Sequence, residues 1–93
     1  MRPPSQKEVE QVVLAVIDRR MSREQADAWA CKWVTADEPP DMDPAIWTAL
    51  MRLCGCDMRH GYPAGDYLHT REQFAEWLED LRRDAATYHR FAD

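Results

Sequence analysis

The chain has 93 residues, of which 45% are hydrophobic and 31% charged, and its formal net charge is −5. This length predicts one domain, residues 1–93, with room for a core but not for a deep substrate cavity. The composition excludes a disordered chain, and no apolar run approaches the ~20 residues of a membrane span. The N-terminus lacks the apolar segment of a secretory signal, so we expect a cytoplasmic protein with no membrane partner.

The first predicted helix spans about residues 6–19. Ser5, followed by Glu8 three positions later, has the pattern of a capping box. Apolar side chains then recur at spacings of three and four, and the stripe comprises Val9, Val12, Val13, Val16 and Ile17. Valine is a mediocre helix former because it is β-branched, so a strand across residues 12–17 is the alternative for this segment.

The second predicted helix spans about residues 23–35 and also begins with a capping box, Ser22 with Gln25. Its apolar stripe comprises Ala26, Trp29, Ala30, Trp33 and Val34. An acidic linker, residues 37–43, follows this helix and contains two prolines and no positive charge. One interpretation is that this linker merely connects and caps the helices; the other is that it is an interaction surface. Crowded like charges also raise the local negative potential, which attracts a basic partner.

The third predicted helix spans about residues 44–54. Asp43 is a strong N-cap, and Pro44 suits the first helical position because a missing N–H costs nothing there. Gly55 is a natural C-terminal stop. Residues 55–69 then contain all three glycines of the chain, and we expect them to form a long loop. Loops of this length in compact domains are commonly functional or mobile.

The fourth predicted helix spans about residues 71–90, begins after Thr70 and has Gln73 as its capping partner. The four segments together predict an all-α fold, a compact four-helix domain with a long loop between helices 3 and 4. We expect all four tryptophans in the core, because aromatic residues at helical spacing usually pack inside. Homo-oligomer formation through a remaining apolar patch stays open.

The three cysteines are an odd number, and we expect no disulfide framework in a cytoplasmic protein. Cys54, Cys56, His60 and His69 carry atoms that can bind zinc, but the Cys-x-Cys spacing is atypical, so we predict no metal. A nucleophilic Cys56 would need a lowered thiol pKa, whereas the helix C-terminus and Asp57 both raise it. With no other catalytic motif we expect no enzyme and no cofactor. A metal- or thiol-dependent enzyme is the third hypothesis.

A pattern of tryptophans and turns carries a family resemblance. It consists of Ser22-Arg23-Glu24-Gln25-Ala26 with Trp29, then Asp43-Pro44 with Trp47, Leu50 and Gly55-Cys56-Asp57, and finally Gly65-Asp66-Tyr67-Leu68. The pattern resembles small helical bacterial proteins, some of which look like immunity proteins of polymorphic toxin systems. This resemblance implies a non-enzymatic protein-binding module that neutralises a basic partner. From the acidic linker and the long loop, the residues expected to contact that partner are Asp37, Glu38, Asp41, Asp66 and Tyr67.

The alternative hypothesis is a small DNA-associated transcriptional regulator. Short helices joined by turns are compatible with a helix-turn-helix, and three arginines cluster around the first turn: Arg19, Arg20 and Arg23. Three more lie in the fourth helix: Arg82, Arg83 and Arg90. The negative net charge, and the lack of a helix that is basic along one face, make nucleic acid the less expected partner.

Overall fold

The computed structural model describes residues 2–59 and 67–92, and the side chains of residues 2–59 and 67–85. Within this part of the chain lie four helices: α1 (Gln6–Ile17), α2 (Arg23–Val34), α3 (Pro44–Leu53) and α4 (Arg71–Ala92). The all-α prediction is confirmed, and the alternative of a strand across residues 12–17 is wrong, because this segment lies in α1. No described helix has both the length and the apolar character needed to cross a bilayer.

Local capping determines where the helices begin. The predicted capping boxes are formed by Ser5 with Glu8, Ser22 with Gln25, and Thr70 with Gln73. At α3, Asp43 Oδ1 accepts a hydrogen bond from the backbone N–H of Ala45 at 2.8 Å, and Pro44 occupies the first helical position. Such a cap stabilises a helix by about 1 kcal/mol. These local signals explain why the predicted and observed helix starts agree.

The core lies between the helices, with α1 packed on α4, α2 on α3, and α3 on α4. Its largest fully buried side chains are Phe74, Leu50, Leu53, Val9, Val13 and Cys56. The expectation for the tryptophans is only partly correct. Trp33 is buried, and Trp29 and Trp77 are half-buried against the core. Trp47 is half-buried and instead lines a surface cleft together with Pro39 and Pro40 of the acidic linker.

The long connection between α3 and α4 is closed at its base. Arg59 and Tyr67 form an isolated antiparallel bridge, and Leu68 N donates to the carbonyl of Met58 at 2.9 Å. Gly55 begins this connection with a φ of 94°, a conformation that glycine adopts without the steric cost of a Cβ atom. The bridge brings Tyr67 back to the four-helix body.

A disulfide bond joins Cys31 of α2 to Cys54, the C-cap residue of α3. The two Cα atoms lie 5.0 Å apart. The expectation of no disulfide is therefore wrong. It relied on the odd number of cysteines and on the expected cytoplasmic location, neither of which carries information about which helices pack together. Packing of α2 on α3 pairs two of the cysteines and leaves Cys56 buried as a free thiol.

Candidate functional site

A cleft of about 570 Å³ lies beside the turn between α1 and α2. Its charged lining consists of four arginines and one carboxylate: Arg19, Arg20, Arg23, Arg71 and Glu24. We call this feature the arginine cleft. In a chain with a net charge of −5, it concentrates positive charge at one place.

The turn that carries Arg19 and Arg20 follows a helix-ending pattern in which glycine is the usual residue. Arg19 has a φ of 61°, in the left-handed region. Its N–H donates to the carbonyl of Val16 at 3.1 Å, and the N–H of Arg20 donates to the carbonyl of Ala15 at 2.8 Å. These bonds form a Schellman motif, whose left-handed position favours glycine. The chain therefore keeps an exposed arginine at a position where it costs about 1 kcal/mol of backbone strain.

The N-terminus of α2 forms another part of the wall. Ser22 caps this helix, with its Oγ accepting from the N–H of Gln25 at 3.0 Å, and both residues line the cleft. The N-terminal end of a helix carries a partial positive charge and attracts anions. The helix dipole and the arginines therefore act in the same direction.

Arg23 has a structural position within the cleft. Its guanidinium carbon lies 4.2 Å from the ring centroid of Tyr67 and 4.9 Å from that of Phe74. Its Nη1 donates to the backbone carbonyl of His69. These contacts hold the half-buried Arg23 in place and attach α2 to the residues that precede α4. Its charge is fixed in the cleft wall.

Tyr67 joins the long connection to α2. Its hydroxyl donates to Glu24 Oε1 at 2.8 Å and accepts from Arg59 Nη2 at 2.7 Å. The guanidinium of Arg59 also lies 4.2 Å from the tyrosine ring centroid. The pKa of Glu24 is lowered, first by a hydrogen bond from its own backbone N–H and then by the Tyr67 hydroxyl. Glu24 is therefore ionised at neutral pH and offsets part of the positive charge.

The remaining arginines of the cleft are exposed. Arg71 Nη2 donates to the carbonyl of Ile17 at 2.7 Å, which links the start of α4 to the end of α1. Arg20 forms an exposed ion pair with Asp18 at 3.3 Å. The Arg19 guanidinium has no side-chain partner among the described residues. A guanidinium has five N–H donors, so these three side chains retain donors for an anion.

The structure separates the residues predicted to bind a protein partner. Asp37, Glu38 and Asp41 are exposed on the acidic linker, and none of them lines the arginine cleft. Asp41 lines the separate cleft next to Trp47. Asp66 lies outside the described residues. Tyr67 is thus found at a basic site rather than an acidic one.

The residues considered for metal or thiol chemistry do not form a common site in the described part of the chain. Cys54 is in the disulfide, and His60 lies outside the described residues. His69 packs edge-on against Trp77, with ring centroids 4.9 Å apart. The pKa of Cys56 is raised to about 12, mainly by burial and then by Asp57 and Asp27. The direction predicted for this thiol is confirmed, although burial rather than charge is the largest cause.

Two residues of the site were missed by the sequence analysis. Arg71 is separated from the first turn by most of the chain, and only the packing of α4 on α1 brings it into the cleft. Arg59 comes from the long connection and reaches Tyr67 through the bridge at its base. A basic residue at the start of a helix is not a signal by itself, so the sequence gives no means of finding Arg71.

The fold and the cleft define a small helical protein with an anion-attracting site built on a helix–turn–helix segment. Comparison with known families gives a match over residues 4–81 to the family described as "YxzC DNA-binding protein". The chain belongs to this family. It is 28% identical over 67 residues to the "Uncharacterized protein YxzC" of Bacillus subtilis (strain 168), an alignment that covers 72% of this chain and 53% of that protein. The chain thus spans about half the length of this relative. No solved structure matches.

The family match overturns the resemblance to immunity proteins. The family match also contradicts the interpretation as a protein-binding module with a basic partner. It likewise contradicts the expectation that nucleic acid is an improbable partner, and it favours the DNA-associated alternative. The tryptophans and turns that carried the resemblance serve packing and capping, which unrelated helical proteins share. The negative net charge misled because it is a sum over the chain, whereas the arginines are concentrated in one cleft.

Proposed function

We propose that this protein binds DNA without catalysis, as a small DNA-associated regulator, and that the arginine cleft holds the phosphate backbone. The observation that carries the proposal is the cleft itself, with four arginines and one carboxylate at the N-terminus of α2. The description of the family supports the same ligand. As part of this proposal the protein acts in the cytoplasm, the compartment that holds a bacterial chromosome.

The exposed arginines make the phosphate contacts. Arg19, Arg20 and Arg71 each offer a planar fork of donors that matches phosphate oxygens, and charge-assisted bonds of this kind are the strong ones. Arg23 keeps the wall in shape through its contacts with Tyr67 and Phe74. Phosphate contacts of this type fix the position of a protein on a duplex and carry no sequence information directly.

The α1–turn–α2 segment gives the bound protein its orientation. In a helix-turn-helix the second helix enters the major groove with its N-terminal residues closest to the bases. The corresponding helix here is α2, whose N-terminus lies in the arginine cleft. The exposed side chains of α2 beyond its first turn include Ala28 and Lys32, which are the candidates on this helix to face the groove.

The test is fluorescence anisotropy with a short labelled duplex, titrated at low salt with the wild type and an R19Q/R20Q variant. The expected loss of affinity is roughly tenfold for each phosphate contact removed. A control with the same formal charge change is R82Q/R83Q on α4, about 16 Å from Arg71 along the helix. Neither arginine lines the cleft, and they pair with Glu10 at 2.6 Å and Asp80 at 2.8 Å, so little effect on DNA binding is expected. Equal losses in the two variants, or no binding by the wild type, would contradict the proposal.

A further inference from the structure

A second group of chemically reactive side chains lies between α2 and α3, apart from the residues that line the arginine cleft. It consists of Asp27, Cys31 and Cys54, and their carboxylate and sulfur atoms all lie within 4.8 Å of one another. Asp27 and Cys31 are four positions apart on α2, so they share one face of the helix. Cys54 is supplied by the C-cap of α3. All three residues are half-buried, so solvent ions can reach them.

The carboxylate of this group is held in place by the backbone. Asp27 Oδ1 accepts from the N–H of Gly55 at 2.6 Å, across the junction of α2 and α3. The same oxygen lies 3.2 Å from Cys31 Sγ. A disulfide sulfur has no proton to donate, so this contact is not a hydrogen bond in the oxidised protein. The carboxylate is thus fixed against sulfur atoms that give it no compensating charge.

We propose that, in the reduced protein, Asp27, Cys31 and Cys54 bind a thiophilic divalent cation of the Zn²⁺ type, and that the disulfide excludes this cation. Two thiolates and one carboxylate are ligands that Zn²⁺ prefers, and three protein ligands leave one position of a tetrahedron for water. The cation also compensates the negative charges of the Asp27 carboxylate and of the two thiolates that reduction makes possible. Metal and disulfide are alternative links between α2 and α3.

The conversion between the two states is a dithiol exchange. A dithiol reductant supplies two electrons and two protons, the Cys31–Cys54 bond breaks, two S–H groups form, and the reductant becomes a cyclic disulfide. Zn²⁺ then displaces the two thiol protons as the two Zn–S bonds form. No other reactant is needed.

Cys56 provides an internal control for this site. It is fully buried, its Sγ lies 3.4 Å from the carbonyl oxygen of Arg23, and it is not a member of the group formed by Asp27, Cys31 and Cys54. Its side chain has no exposed surface through which a cation from solvent could reach the sulfur. Cys54 and Cys56, on either side of Gly55, therefore have different roles, and the Cys-x-Cys pair is not the ligand pair.

The experiment uses the full chain, reduced with a dithiol, desalted without oxygen and titrated with Co²⁺ and then Zn²⁺. One Co²⁺ per chain, with a thiolate-to-cobalt charge-transfer absorption that Zn²⁺ removes, is the expected result; the oxidised protein shows neither. C31S should abolish the signal, D27N should weaken the affinity about tenfold, and C56S should bind like the wild type. Loss of binding in C56S with retention in C31S, or no binding by the reduced wild type, overturns the proposal.

If reduction unfolds the protein, helicity measured by circular dichroism provides the test of metal binding instead. Zn²⁺ then restores the helical signal of the reduced wild type and of C56S but not of C31S. A reduced chain that stays unfolded with Zn²⁺ also overturns the site. The result is independent of DNA binding, because neither readout uses a nucleic acid.

Discussion

The hydroxyl of Tyr67 donates a hydrogen bond to Glu24 at 2.8 Å, although the two residues lie 43 positions apart in the sequence. This bond attaches the end of the long connection to the first turn of α2. The same tyrosine ring lies 4.2 Å from the guanidinium of Arg23, so one side chain contacts both an acid and a base of the arginine cleft. Tyr67 therefore organises the cleft.

Replacing the hydroxyl tests this organising role. In Y67F the ring remains over Arg23, but the bonds with Glu24 and Arg59 are lost. Because both bonds are exposed to solvent, we expect the free energy of unfolding of Y67F in urea to be lower than that of the wild type by about 0.5–1 kcal/mol. The free energy of unfolding of Y67A should be lower still, because the ring contacts with the guanidinium groups are also lost. A Y67F protein as stable as the wild type would show that the hydroxyl has no structural role.

Glu24 is the one carboxylate in the lining of the arginine cleft, and its removal should strengthen DNA binding. E24Q removes a charge that repels phosphate, so the affinity at low salt should rise about two- to fivefold. The control is E76Q, which makes the same charge change at an exposed position of α4 outside this lining. Equal effects of the two substitutions would mean that only the net charge matters.

The lowered pKa of Glu24 also gives a pH dependence. A carboxyl group with a lowered pKa in the folded protein stabilises the fold above its unfolded value of 4.5, and this contribution is lost as the pH falls through the folded value. The difference in melting temperature between wild type and E24Q should therefore be largest near neutral pH and should shrink on acidification. A difference that grows as the pH falls would contradict the assignment.

Arg19 should separate stability from DNA binding. R19G removes a guanidinium from the cleft and places glycine at a left-handed position, which relieves the strain of the arginine backbone. We expect the unfolding free energy to stay the same or rise by up to about 1 kcal/mol, while the affinity for a duplex falls roughly tenfold at low salt. A variant that loses both stability and affinity would assign Arg19 a structural role only.

The cysteines can be counted by alkylation and mass spectrometry. A thiol with a pKa of about 12 is ionised in about one molecule in ten thousand at about pH 8, and Cys56 is also buried. We expect no adduct on the native oxidised protein, one adduct after unfolding without reductant, and three after unfolding with reductant. Three adducts without reductant would show that Cys31 and Cys54 are not bonded.

The sequence predicts the helices well because their signals are local. Ser22 and Gln25 lie three positions apart, so the capping box that begins α2 can be read from four consecutive residues. The apolar stripes are equally local, since each repeats within two turns of one helix. Helix starts and the all-α class follow from such short-range patterns.

The arginine cleft could be predicted only in part. Arg19, Arg20 and Arg23 are close in sequence and form a recognisable cluster, but Arg71 reaches them through a helix contact that no local pattern encodes. The disulfide has the same origin, since it depends on how α2 lies against α3. A net charge is a sum without positions, so it argued against a nucleic-acid partner although four arginines line one cleft.

The most direct test of the central claim is an NMR titration of isotope-labelled protein with a short DNA duplex at low salt. The account predicts that the largest changes fall on residues 19–25 and 67–71, with the side-chain signals of Arg19, Arg20 and Arg71 among them. It also predicts that the acidic linker is unaffected. Changes confined to residues 37–43, or no changes at all, would contradict DNA binding through the arginine cleft.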